Sequence, residues 1–251
     1  MTIRHNGVVM NTRDRKHREM QEREAIILEC ARPMFIEGGY NGLNMDRLTS
    51  MLEYSKGTIY NHFSCKEEII ITLAIQTLEK RLAMFEKAAL FQGTSRERIA
   101  AIGTAAELFV KLYPDHFRVE QTIRLDSIWD KTSEERRQVM SNCERRCIGV
   151  VSGVVRDGIA SGDLNLKDTT SPEEIVFGLW SLSFGGYSII ATSNSLQEIG
   201  ISEPFKMLRH NYSRFLDGIQ WKPLSSEVDY DAVFERVSEE VFGNELQQIT
   251  A

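Results

Sequence analysis

The stretch Ser55-Lys56-Gly57-Thr58-Ile59-Tyr60-Asn61-His62-Phe63 predicts a short helix with two chemically different sides. Ile59 and Phe63, four residues apart, share one helical face and can anchor it in a core. Lys56, Thr58, Asn61 and His62 are expected to point outward. Gly57 and Thr58 put little bulk between the backbone and an approaching phosphate, and a helix N-terminus attracts anions. Just upstream, Asn44 caps a second short helix from Met45 to about Glu53, with Leu48, Met51 and Leu52 as its inner face. Before that, Arg23 to Glu37 repeats Ile26, Ile27, Cys30, Met34 and Phe35 at helical spacing and stops at Gly38-Gly39. A longer helix followed by two short ones joined through a tight turn is a helix-turn-helix arrangement, which presents its last helix to a DNA groove. The expected contacts to double-stranded DNA are Asn44, Arg47, Ser55, Lys56, Gly57, Thr58, Asn61 and His62, with Tyr60 and Lys66 at the edges against phosphate.

These residues, followed by Lys66-Glu67, closely resemble the helix-turn-helix core of the tetracycline-repressor (TetR) family of transcriptional regulators, which commonly reads S-K-G-T-L-Y-x-H-F-x-S-K-E. Ala31, Phe35 and Gly39-Tyr40 resemble that family's first helix and its exit. The resemblance covers about Arg23 to Leu78. Three departures stand out. Leu52-Glu53-Tyr54 replaces the usual Ala-Gly-Val of the turn, so that a positive φ at Glu53 would cost about 1 kcal/mol. Cys65 replaces a small serine, which raises the question of oxidation sensitivity. Pro33 sits inside the first helix, where it removes the bond to the Glu29 carbonyl and is expected to kink it.

The rest of the 251 residues has the same helical grammar, without convincing strands or fixed-period repeats. Lys66-Glu67-Glu68 opens a long helix to about Phe91. Capping boxes at Thr94 to Glu97 and Thr132 to Glu135 start helices to Leu112 and Ala160, with another from Asp115 to about Trp129 between them. Ser171-Pro172 starts the next, and Ser202-Glu203-Pro204 one to about Ile219. The spacing of Tyr230, Val233, Phe234, Val237 and Val241 predicts an acidic terminal amphipathic helix. The expected fold is therefore all-α, with a basic arm (1–22), a three-helix DNA-binding domain (23–66), a helical domain for effector binding and dimerisation (67–220), and an acidic extension (221–251).

Net charge is −6, which at first argues against nucleic acid, but its distribution matters more. Residues 1–23 carry a balance of +3, and residues 222–251 one of −5. Arg13, Arg15, Lys16 and Arg18 of the arm are placed to reach backbone phosphate or the minor groove. Residues 1–21 contain no apolar signal-peptide core, so a reducing cytoplasm and free thiols are expected for Cys30, Cys65, Cys143 and Cys147. The 22 uncharged residues from Ile175 to Leu196 are long enough to cross a bilayer. Their serines, glycines and threonine, and the lack of a second span, favour burial in a core or subunit interface.

The resemblance implies a homodimer on a near-palindromic operator, repressing more often than activating. Its interface is expected on Gly178, Ser181 and Gly185, a small-residue stripe, together with the Phe205, Leu208, Tyr212, Phe215 and Ile219 face. The resemblance also implies a small-molecule effector of unknown identity. Candidate apolar walls are Phe109, Tyr113, Phe117, Ile123, Trp129, Trp180 and Phe184, with His116 and Arg124 as polar anchors. No enzyme fingerprint, metal-ligand spacing or cofactor motif occurs. The rival reading is a ligand-independent DNA-binding protein controlled by a protein partner through the acidic segment from Val228 to Ile249.

Overall fold

The computed structural model describes residues 12–123, 126–166 and 170–250; Arg4 and the candidate effector anchor Arg124 lie outside the described residues, as does the side chain of Arg13. Among these residues every regular element is an α-helix. They are α1 (Thr12–Gly42), α2 (Met45–Leu52), α3 (Lys56–His62), α4 (Lys66–Ala89), α5 (Ser95–Leu112) and α6 (Pro114–Thr122). They continue as α7 (Asp126–Lys131), α8 (Glu134–Ser161), α9 (Pro172–Thr192), α10 (Pro204–Gly218), α11 (Tyr230–Glu240) and α12 (Gly243–Thr250). The chain forms two compact units, one of residues up to Leu73 with Thr122–Arg137, the other of Ala74–Gln121 with Gln138 onward. This division differs from the expected linear order, because residues 122–137 return to the first unit.

In the first unit, Ile27, Ala31, Met34 and Phe35 of α1 close over Leu48 of α2, Ile59 of α3, Phe63, and Ile69, Ile70 and Leu73 of α4, all buried. Ile123 and Ile128 complete the buried set. Ile26 and Met51, expected inside, are exposed, and Leu28 is buried instead. Helix α1 begins eleven residues before the expected Arg23, so Arg15, Lys16 and Arg18 are exposed helical residues. Ion pairs at i,i+4, Arg15 to Glu19 and Arg18 to Glu22, run along this extension. The departure from helical geometry falls at Gly39 (φ 58°, ψ −150°) and not at Pro33.

The second unit is organised around α5, which is apolar on nearly all sides and buries Ile99, Ala101, Ile102, Ala105, Leu108, Phe109 and Val110. A helix of that composition needs neighbours all round; α9, α11 and α12 pack on it, and α10 packs on α9. The capping box expected at Thr94/Glu97 is formed, and the cap expected at Ser171 is a capping box with Glu174; at the start of α8 the Thr132 hydroxyl instead donates to the Ile128 carbonyl, and Ser133 Oγ accepts from Arg136 N. The single helix expected from Asp115 to Trp129 is instead α6 and α7, which fall in different units. Residues 221–251 belong to this core: Trp221, Val237 and Phe242 are fully buried. Arg96, also fully buried, bonds to Asp217 Oδ1 at 2.6 Å and to the Trp221 carbonyl, and Trp221 Nε1 donates to Ser95 Oγ at 2.9 Å. The apolar face of the acidic terminal helix thus packs on α5.

Helix α9 has the length and composition to cross a membrane, yet Ile175, Val176, Leu179 and Tyr187 are packed into the second unit. Gly178 lies against Phe215 and Gly186 against Leu208, where an added Cβ would come within 2.6 and 2.7 Å of those side chains. Tyr212 donates to Ser183 Oγ at 2.8 Å, and Tyr187 stacks near Phe205. The Phe205, Leu208, Tyr212, Phe215 face expected to meet a second subunit is therefore turned onto α9 of its own chain.

Candidate nucleic-acid interface

The turn before the outward helix is built by local chemistry. Asn44 Oδ1 accepts from the backbone N–H groups of Asp46 and Arg47 at 2.9 and 3.1 Å, starting α2. That helix ends on Glu53 in the left-handed region (φ 53°, ψ 26°), the backbone state that the missing glycine would have supplied. Ser55 Oγ then accepts from Thr58 N at 3.1 Å and pairs with Thr58 Oγ1 at 2.8 Å, starting α3. Ile59 and Phe63, both fully buried, hold the inner side, as their spacing predicts.

The outward side presents Lys56, Gly57, Tyr60 and Asn61, with Ser55 at the entrance and Thr58 half-buried. Arg47 and Asn44 on the preceding helix are exposed as well. A Cβ at Gly57 would meet only Ser55 Oγ, at 3.8 Å, so nothing inside the chain requires a glycine there. Lys56 Nζ lies 2.6 Å from Asp46 Oδ1, and this hydrogen bond and charge raise the ammonium pKa.

Two candidates are placed differently from expectation. The His62 side chain is only 7% exposed, with Nδ1 3.8 Å from Glu24 Oε1. Lying three residues after Ile59, it falls on the anchored side of a helical turn and not on the outward one. Lys66 is committed too: its ammonium donates to the Tyr40 carbonyl at 2.9 Å and sits 3.6 Å from the centre of the Tyr40 ring.

Beneath α3 lies a polar framework that sequence reading missed. Glu67 and Glu68, read only as favourable charges at the start of α4, are both buried. Glu67 accepts from the Tyr40 hydroxyl and from Lys131 Nζ, the latter at 3.1 Å. Burial pushes its pKa up, but the hydrogen bonds from Tyr40, its own backbone, Lys131 and Cys65 outweigh that and bring it down to about 2. Glu68 binds Arg136 Nε at 2.5 Å and accepts from Ser133 N. Lys131, Ser133 and Arg136 lie more than 60 residues away in sequence, and Tyr40 27 residues away, so no local pattern announces them. Cys65 Sγ donates to the Lys131 carbonyl at 3.4 Å, and burial raises its pKa, which disfavours the reactive thiolate. Cys143 and Cys147 are buried, and burial pushes the Cys147 thiol up to about 12.

Residues 27–73, from α1 through the first turns of α4, match the model of the bacterial regulatory proteins of the tetR family. Over this segment the chain is similar to the TetR family. A fatty acid metabolism regulator protein of Bacillus subtilis is 23% identical over 185 residues, covering 70% of this chain and 92% of that one. The transcriptional repressor AcnR of Corynebacterium diphtheriae is 42% identical over 67 residues, 27% of this chain and 32% of its own length. A tetR-family regulatory protein from Rhodococcus RHA1 shares the fold, with a TM-score of 0.60 and 18% identity over 78% of this chain and 96% of that one. These relatives are DNA-binding transcriptional regulators and not enzymes. Among the described residues no group of three His, Cys, Asp or Glu could hold a metal ion.

The aromatic candidates for an effector site do not gather in one place. In the second unit Phe109, Tyr113 and His116 form one group, with ring centres 5.7 to 6.4 Å apart. Phe117 meets Phe184 at 6.3 Å and Tyr187 at 6.4 Å. His116 Nδ1 is engaged with Thr77 Oγ1 at 2.8 Å. Trp180 is corrected: it is exposed on the outer side of α9, edge-on to the more exposed Phe177. Trp129 and Ile123 are corrected as well, since they belong to the first unit.

Proposed function

We propose that this regulator acts as a cytoplasmic homodimeric repressor, reading a near-palindromic operator with one α3 in each of two major grooves and leaving it when a small molecule binds. The observation that carries the reading is the division of α3 between a fully buried Ile59 and an outward set of Lys56, Gly57, Tyr60 and Asn61. Dimerisation is supported by the outer row of α9, where Phe177, Ser181, Gly185 and Ile189 recur every four residues beside Trp180. Phe177 and Ile189 are 63% and 57% exposed, apolar surface of the kind that a second subunit covers. Within the earlier expectation for the interface, Ser181 and Gly185 remain on this surface, whereas Gly178 and the α10 face do not.

For the effector, the cluster of Phe117, Phe184 and Tyr187, near the buried Arg81–Glu120 ion pair, supports a largely apolar molecule. The Bacillus subtilis relative, named for fatty acid metabolism, puts long-chain acyl compounds first among those to try. Selecting bound fragments from random duplex DNA is the primary test. Recovery of an inverted repeat, and its release by a compound that also raises the melting temperature, is the expected result. Recovery of no preferred sequence overturns the reading.

A further inference from the structure

The recognition helix α3 has only seven residues, too few to hold its own shape in water, so its orientation is set by what grips its ends. Its start is held by Ser55. Its end is held by one side chain from far along the chain. Arg136 Nη2 donates to the carbonyl of His62, the last residue of α3, at 3.2 Å. The same nitrogen reaches Glu24 Oε1 of α1 at 3.4 Å, Nη1 donates to Thr72 Oγ1 at 2.6 Å, and Nε pairs with Glu68 Oε2 at 2.5 Å. The guanidinium also lies 4.8 Å from the centre of the Phe63 ring. A single planar fork therefore ties α3 to α1 and α4, and a cation at a helix C-terminus is also favoured by the helix dipole.

We propose that Arg136 is the positioning residue of the recognition helix: it sets the angle at which Lys56, Tyr60 and Asn61 are offered to DNA, without touching DNA itself. Its side chain is 20% exposed and its donors are spent on the protein. The second oxygen of Glu68 takes the backbone N–H of Ser133, so the residues that lead into Arg136 are pinned by the same carboxylate. Arg136 stands in the first turn of α8, a helix that continues past Arg137 into the second unit. The contact between Arg136 and the end of α3 lies within the first unit, made by residues 74 apart in sequence. The assignment rests on α3 being the DNA-reading element.

The test uses the full chain and the best duplex selected by the wild type. Arg136→Lys keeps the charge beside Glu68 but cannot serve His62, Thr72 and Glu68 together, and Glu24→Gln removes only the charge of the outermost partner, which also faces His62 Nδ1, so that it stays folded. Affinities for the selected duplex and for random duplex of equal length are measured, with hydrogen exchange at the amides of residues 59–64. The expected result for Arg136→Lys is a loss of tenfold or more on the selected duplex, less than twofold on random duplex, and faster exchange at the end of α3. Glu24→Gln is expected to show about a threefold loss in the same direction. Undiminished affinity of Arg136→Lys for the selected duplex, or equal losses on both duplexes, overturns the assignment. A wild type that selects no duplex overturns the DNA reading and the assignment with it, and needs no variant to be recognised.

Discussion

Glu53 shows how a single position can depart from a motif while the backbone keeps to it. Its left-handed conformation costs about 1–2 kcal/mol for a residue with a Cβ, whereas glycine would lose roughly 0.5–1 kcal/mol more chain entropy on folding. Glu53→Gly is therefore expected to raise stability by a net of about 0.5–1 kcal/mol, read from the urea midpoint. Gly57 is the converse. Space for a methyl group is open there, and alanine is favoured over glycine in a helix by up to about 1 kcal/mol, so Gly57→Ala should melt no lower than wild type. It should nonetheless bind its operator about tenfold more weakly, the equivalent of one lost charge-assisted hydrogen bond, in an anisotropy titration. The outward residues of α3 were legible because Ile59 and Phe63 define its inner face. His62, three residues after Ile59, follows the same inner face; Lys66 was not legible, because its fate depends on Tyr40, which lies outside any helical period.

At the scale of elements, α9 carries two kinds of glycine. Gly178 accommodates the Phe215 ring, so Gly178→Leu should lower the melting temperature as that ring is displaced. Nothing in the chain lies within 4 Å of a Cβ at Gly185, so Gly185→Trp is expected to leave the fold intact and yield monomers in sedimentation. An intact dimer would reject the proposed interface. The start of α4 carries a pH dependence. Because Glu67 titrates near 2 when folded, below its ordinary value of 4.5, its contribution is complete above 4.5 and fades as pH falls from there towards 2. Melting temperature should drop more steeply across that window in wild type than in Glu67→Gln. The helices themselves were legible from caps and periodicity, since Asn44, Ser55, Thr94 and Ser171 act over three residues. The break that separates α6 from α7, and the early start of α1, left no comparable signal.

For the whole molecule, the acidic terminal region is structural. Phe242 is fully buried beside α5, so Phe242→Ala should cost about 3–5 kcal/mol, lowering the melting temperature by roughly 10 °C for a chain of this size. Thermal unfolding at neutral pH checks it; an unchanged melting temperature would return the tail to a docking role. The net charge of −6 is compatible with DNA binding, because the exposed Arg15, Lys16 and Arg18 stand at one end of the chain and the acidic residues of α11 at the other.

The return of residues 122–137 to the first unit has a practical consequence for anyone who would rebuild this regulator. Its DNA-reading part is not a cassette that ends at Leu73. A fragment cut there would leave the carboxylates of Glu67 and Glu68 without Lys131, Ser133 and Arg136, and the apolar core without Ile123 and Ile128. Chimeras that swap operator specificity by exchanging the N-terminal segment alone are expected to need the matching 122–137 segment as well.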